Sequence, residues 1–172
     1  KGGEVKGAQF RDVTIKGSFK AQRVHFVGRF QAVELHLEGK AQFFDARFRA
    51  WVQWERCVFD DEADFRSIAV EEGLVFTGCR FLGDAKFRGA SVQKKFDLSE
   101  SRFERMLDLS KAKLNDYVYM ETITQGERMR FGFENAVAER LLVRPDQLEG
   151  RIASELEGHY LNASHEYGLL KR

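Results

Sequence analysis

Apolar residues recur along most of the chain in alternating steps of five and six. From Phe65 the steps run back through Phe59, Trp54, Phe48 and Phe43 to Ile15 and Phe10. They run forward through Val70, Phe76, Phe81, Phe87 and Val92 to Leu109 and Leu114. All 20 positions visited are apolar, and of the residues two before each, only Ser101 is polar. Neither a helix, with its period of 3.6, nor a flat strand, with its period of 2, explains this spacing. Two inward positions with one outward residue between them make a very short strand. Two or three polar residues then turn the chain, and the next strand begins. Such an internal repeat predicts an all-β solenoid. Each strand pairs in parallel with its counterpart one coil away, ~4.8 Å along the axis.

Gly7, Gly17, Gly28, Gly39, Gly78, Gly83 and Gly89 fall in or beside the bends, where a positive φ is expected. Large and small residues compensate within single strands. Ala41 precedes Phe43 and Ala63 precedes Phe65, while Phe19 precedes Ala21 and Phe30 precedes Ala32, as a tube of fixed cross-section requires. The units Ala8-Gln9-Phe10, Ala41-Gln42-Phe43, Ala46-Arg47-Phe48, Ala63-Asp64-Phe65 and Ala85-Lys86-Phe87 resemble those of the pentapeptide-repeat proteins. In that family a small residue, a polar one and a central Leu or Phe begin each unit. The resemblance covers roughly residues 5 to 131 and implies a right-handed quadrilateral β-helix. Here every second unit carries one extra residue, so a coil takes 22 residues and two of its four corners are wider. Cys57 and Cys79, 22 apart at the small inward position, are expected to stack as buried thiols. Two cysteines in a column have poor torsion geometry for a disulfide, and the reading places the chain in the cytoplasm.

After Leu114 the rhythm fades. Met120 and Phe131 keep the phase, Gln125 breaks it, and Thr122 to Arg128 (TITQGER) reads as a loop. Residues 116–143 are expected to form an irregular last coil, closing a tube that spans 1–143. From Arg144-Pro145-Asp146 onward, Leu148, Ile152, Leu156, Tyr160, Ala163, Tyr167 and Leu170 predict a C-terminal α-helix within 144–172. That helix has three candidate roles: capping the tube, homodimerisation, or leading into a further domain. Capping ranks first, because an open coil end exposes unpaired backbone and Phe.

Composition narrows the function. The chain has 172 residues, 16 phenylalanines and a single proline, enough for one domain with a substantial core. Its net charge is +1, which argues against a broad nucleic-acid footprint. No apolar run approaches the ~20 residues that a membrane-spanning helix needs. Chemistry is sparse. His25 and His36 fall on adjacent outward faces, and His159 and His165 cannot share a helix face. The cluster Asp60-Asp61-Glu62 with Asp64 lacks the glycine and oxygen spacing of a calcium loop. No catalytic residue, cofactor or metal site is expected. The candidates for a contact surface are Phe44 and Trp51, which fall outside the inward register, and two arginine ladders, Arg66 with Arg88 and Arg80 with Arg102. Asp64, Lys86 and Asp108 are expected to pair along one column.

The reading ranked first is a non-catalytic scaffold, a rigid rod for contact with a protein partner and the regulatory part of a longer protein. The resemblance also implies two other arrangements. Family members are joined to membrane-embedded segments, which a continuation past Arg172 would provide. Others mimic DNA to inhibit type II topoisomerases and so confer quinolone resistance. Mimicry needs a strongly negative surface, yet residues 1–115 carry 21 Lys+Arg against 17 Asp+Glu. Binding to an anionic nucleic acid or membrane through the arginine ladders ranks third, and an enzyme last.

Overall fold

The five-and-six rhythm becomes a four-walled tube. A computed structural model describes residues 3–152. They wind through about six coils of a β-solenoid built almost wholly of parallel strands. The first wall stacks His25–Phe26, Arg47–Phe48, Ala69–Val70 and Ser91–Val92. The second stacks Phe30, Val52, Leu74 and Phe96 with their neighbours. The third carries Val58–Phe59, Arg80–Phe81 and Arg102–Phe103, and the fourth Ala41–Gln42, Ala63–Asp64 and Ala85–Lys86. Partners are 22 residues apart from Ala8↔Phe30 through Arg102↔Thr124.

The inward positions fill the tube completely. Phenylalanines stack in columns: Phe43 on Phe65 and Phe65 on Phe87 at 5.1 Å, Phe59 on Phe81 at 4.5 Å, and Phe81 on Phe103 at 4.7 Å. Such offset stacks add ~0.5–1.5 kcal/mol per pair to the burial of the rings. The exchange of large for small is visible where Trp54 lies one coil from Ala32 and packs its ring 4.7 Å from Phe30. That fit leaves the Trp54 indole N–H buried without a hydrogen-bond partner among the described residues. The first described coil is loose, with Phe10, Ile15 and Phe19 half-buried and Val13 exposed, and so is the last, with Ala138 and Leu141 half-buried and Val137 exposed, because each has a described neighbouring coil on one side only.

A second periodicity, invisible in the apolar pattern, sets the tight corners. Residues 12, 23, 34, 45, 56, 67, 78, 89, 100 and 111 all have φ between 51° and 69°, one every eleven residues. Each sits two places after an inward residue, within the five-residue step. In Phe43–Ala46 and Phe87–Ala90 the fourth N–H donates to the first carbonyl at 2.9 Å, closing a turn whose third residue is left-handed. The glycine expectation is therefore corrected. Of the seven, only Gly78 and Gly89 have positive φ; the other left-handed sites hold Asp, Arg, Glu, Ser or Lys. Gly39 and Gly83 are needed for space, since a Cβ there would lie 2.6 and 2.5 Å from backbone of the adjacent coil.

Cys57 and Cys79 do lie one coil apart, both buried and free. Ser101 continues their column and explains the one polar exception. Cys57 Sγ donates to Ala32 O at 3.4 Å, Cys79 Sγ to Trp54 O at 3.5 Å, and Ser101 Oγ to Phe76 O at 3.0 Å. A small donor at this position satisfies a carbonyl that the strands leave over. Burial pushes the Cys79 thiol well above its ordinary pKa, which suits packing and not nucleophilic chemistry.

The last coil departs from expectation in three ways. TITQGER is not all loop, because Thr124–Gln125 forms a strand on Arg102–Phe103. Two residues are then inserted, and the register moves to Leu107↔Phe131, a step of 24. The slip carries Phe133 into the interior, 5.2 Å from Phe131. The helix from Arg144 spans only Pro145–Leu148; Gly150 is left-handed and Ile152 bridges to Phe131. The remainder of the expected helix, residues 153–172 with His159 and His165, lies outside the described residues. Among the described residues the coil is closed by Gln147, 2% exposed, whose amide donates to the carbonyls of Met120, Glu121 and Ile123 at 3.0–3.2 Å. Gln125, the residue that broke the apolar phase, donates to Gln147 O at 2.7 Å.

Candidate interaction surface

With the interior consumed by packing, the chemistry rests on outward side chains, and the 22-residue coil decides which of them meet. Phe44, Arg66 and Arg88 occupy the second position of successive tight turns and so form one column at the edge of the first wall. The Arg66 guanidinium lies 5.6 Å from the centre of the Phe44 ring. Its Nε and Nη2 donate to Asp64 Oδ1 and Oδ2, both at 2.8 Å. Burial works against ionisation of Asp64, yet the hydrogen bonds and charge of Arg66 outweigh it and hold the carboxyl below its usual range. Arg66 is thus a fixed part of the surface, whereas Arg88 has no ion pair among the described residues.

Trp51 sits at the opposite edge of the same wall, 37% exposed, with its ring over Gly73. A Cβ at Gly73 would meet Trp51 at 2.1 Å, so the missing side chain is what lets the indole lie flat. A shallow groove of about 200 Å³ opens beside it, lined by Arg29, Phe30, Gln31 and Gln53. Arg80 and Arg102 are register partners but stand on the third wall, across the tube. Arg102 is paired with Glu104. The six candidates are therefore two groups, four flanking the first wall and two opposite.

The mixed-sign column is corrected. Asp64, Lys86 and Asp108 are in register, but Lys86 Nζ pairs diagonally with Glu62 at 2.6 Å, and Asp64 is taken by Arg66 in its own turn. The acidic cluster is dispersed by similar partners, with Asp60 on His36 at 2.8 Å. No group of side chains arranged to hold a metal occurs among the described residues, and no helix there is long and apolar enough to cross a membrane.

Sequence reasoning missed Arg47, exposed on the first wall, and Arg49, exposed in the bend that follows its strand, both without an ion pair among the described residues and both lining one cleft with Glu4 and Glu71. Arg47 follows His25 by one coil and precedes Ala69 and Ser91, which form a low floor above it. The outward row of the repeat map carries this signal, but a search for ladders of like residues passes over a row that changes type at each coil. In comparisons with known proteins, the chain matches no family model, no curated protein and no solved structure.

Proposed function

We propose that the chain is a pentapeptide-repeat-type rod that acts as a non-catalytic scaffold, holding side chains at fixed spacing for a protein partner. The observation that carries this reading is the coupling of surface to core. In the central coils an outward strand residue such as Gln53, Val75 or Lys86 is flanked by buried ones, and its strand is bonded to the coils above and below. Surface side chains are further held by neighbours one coil away, as Phe44 is by Arg66, Arg56 by Glu34 and Asn115 by Gln93. A surface so ordered loses little conformational entropy on binding. Aromatic residues and arginine, the types that dominate binding energy in interfaces, flank one wall together.

Site-specific photo-cross-linking in the native cells tests this. A photoreactive residue would replace, one at a time, Phe44, Trp51, Ala69, Arg80 and Gln42. A scaffold gives one discrete protein adduct from adjacent positions on one or two walls and none from the others. Adducts that are absent, or scattered without regard to wall, refute it.

A further inference from the structure

The tube does not require the indole of Trp51. Its corner column, one residue before the inward positions Phe30, Val52, Leu74 and Phe96, reads Arg29, Trp51, Gly73 and Lys95. Three coils therefore turn here without an aromatic ring. Yet the ring is held in place. A Cβ at Gly73 would lie 2.1, 2.5 and 2.7 Å from three consecutive atoms of its six-membered ring, which is contact with the face and not with the edge. The opposite face carries no second ring and no cation among the described residues, and Trp51 stays 37% exposed. The groove beside it presents Arg29, Gln31 and Gln53. The side chains of Arg29 and Gln53 have no hydrogen bond among the described residues, and Gln31 engages only its Oε1, with Gln9 Nε2 at 3.5 Å. Gln9, Gln31 and Gln53 follow one another by one coil, so amides recur along the axis every ~4.8 Å.

We propose that Trp51 and this groove bind a neutral oligosaccharide, with one pyranose flat on the free face of the indole and the sugar chain running along the glutamine column. The inference is independent of the scaffold reading. A pyranose has an apolar C–H face that matches a flat ring. Its hydroxyl rim both donates and accepts, as the amides of Gln31 and Gln53 do. One apolar surface with a few convergent polar groups is the usual form of a small-ligand site. The charges at the corner are mixed and select against ionic ligands. Arg29 lies one coil before Trp51 and Arg49 two residues before it, while Glu71 and Glu72 directly precede Gly73. Glu72 is paired with Lys94, but Glu71 has no ion pair among the described residues. A nucleobase could stack on the indole, yet its phosphates would meet these carboxylates. A cationic group would be repelled by the two arginines. Hydroxyls suit both signs of charge, donating to a carboxylate and accepting from a guanidinium. A polyproline segment docks in grooves lined with aromatic rings, and Trp51 has no aromatic neighbour within stacking distance among the described residues.

Isothermal titration calorimetry of the whole chain against cellohexaose, maltohexaose and N-acetylchitohexaose tests this. The comparison ligands are polygalacturonate, oligodeoxyadenylate and a proline-rich peptide. At least one neutral hexasaccharide is expected to bind and to shift tryptophan emission to the blue as the Trp51 ring is covered. Trp51→Ala should weaken binding about tenfold and Gln53→Ala about threefold, while Phe44→Ala at the far edge of the first wall leaves it unchanged. Gly73→Ala keeps the indole but lifts it from its seat, and should weaken binding nearly as much as Trp51→Ala. Unchanged thermal midpoints would show that the variants are folded; if Trp51→Ala does not fold, Gly73→Ala and Gln53→Ala decide. The proposal is overturned if no neutral sugar binds at millimolar concentration, if a comparison ligand binds more tightly, or if binding survives these substitutions. A discrete protein adduct in cells without sugar binding removes this inference and leaves the scaffold reading standing. Sugar binding without any discrete adduct does the reverse.

Discussion

Replacing Lys111 by glycine should stabilise the rod, although it removes a side chain. Lys111 has φ 57°, a conformation that costs an L-residue ~1–2 kcal/mol. Its side chain is exposed and has no side-chain hydrogen bond or ion pair among the described residues, so glycine forfeits no contact. Against this relief stands the larger backbone entropy that glycine loses on folding, ~0.5–1 kcal/mol. The net expectation is a gain of ~0.5–1 kcal/mol, or a rise of ~1–4 °C in thermal midpoint at this chain length. Two controls give the sign its meaning. Gly89→Ala places a Cβ at φ 69° and should lower the midpoint by a similar amount or more. Arg49→Gly is equally exposed but lies outside the left-handed set, so only the entropic term acts and the midpoint should fall. Circular dichroism melts of the three variants decide the matter. If Lys111→Gly falls as far as Arg49→Gly, or Gly89→Ala is neutral, the left-handed residue does not govern the tight corner.

Three further outcomes follow from the corners, the buried carboxylate and the closing coil. Gly73→Ala should displace the Trp51 ring at little cost in stability, seen as a red shift and loss of intensity in tryptophan emission, whereas Gly83→Ala, facing backbone at 2.5 Å, should cost more than ~2 kcal/mol in chemical denaturation. Because the folded pKa of Asp64 is depressed below 3.8, its pairing with Arg66 stabilises fully above the unfolded value and fades as pH falls through the folded one; Asp64→Asn should therefore flatten the pH dependence of the midpoint below about pH 4. Gln147→Ala leaves the carbonyls of Met120, Glu121 and Ile123 without that donor, a loss of ~1–3 kcal/mol, and hydrogen exchange should accelerate at the last coil while residues 41–92 keep their protection.

The interior was readable because its constraint is one-dimensional. A tube of fixed width forces an inward residue every five or six positions, so Phe65 predicts Phe43 and Phe87 without knowledge of their neighbours. The corners were not readable in the same way. A left-handed residue every eleven positions is held by Asp45, Arg56, Ser67 or Lys111 as readily as by Gly78, because stacked coils on both sides impose the conformation and override local preference. The last coil escaped because its two-residue insertion moves Phe133 inward only once Gln125 is seen to bond Gln147 and not to pack. The surface needed a further step. Register correctly placed Arg66 beside Arg88 and Arg80 beside Arg102, but register does not say which cations are already matched. Arg66 and Arg102 are each taken by a carboxylate two residues away, while Arg47, Arg49 and Arg88 are not. The free charge of the rod, and with it the face offered to a partner, depends on which carboxylates reach which guanidinium groups. Neighbouring ladder positions that look alike in sequence therefore divide into structural and available arginines.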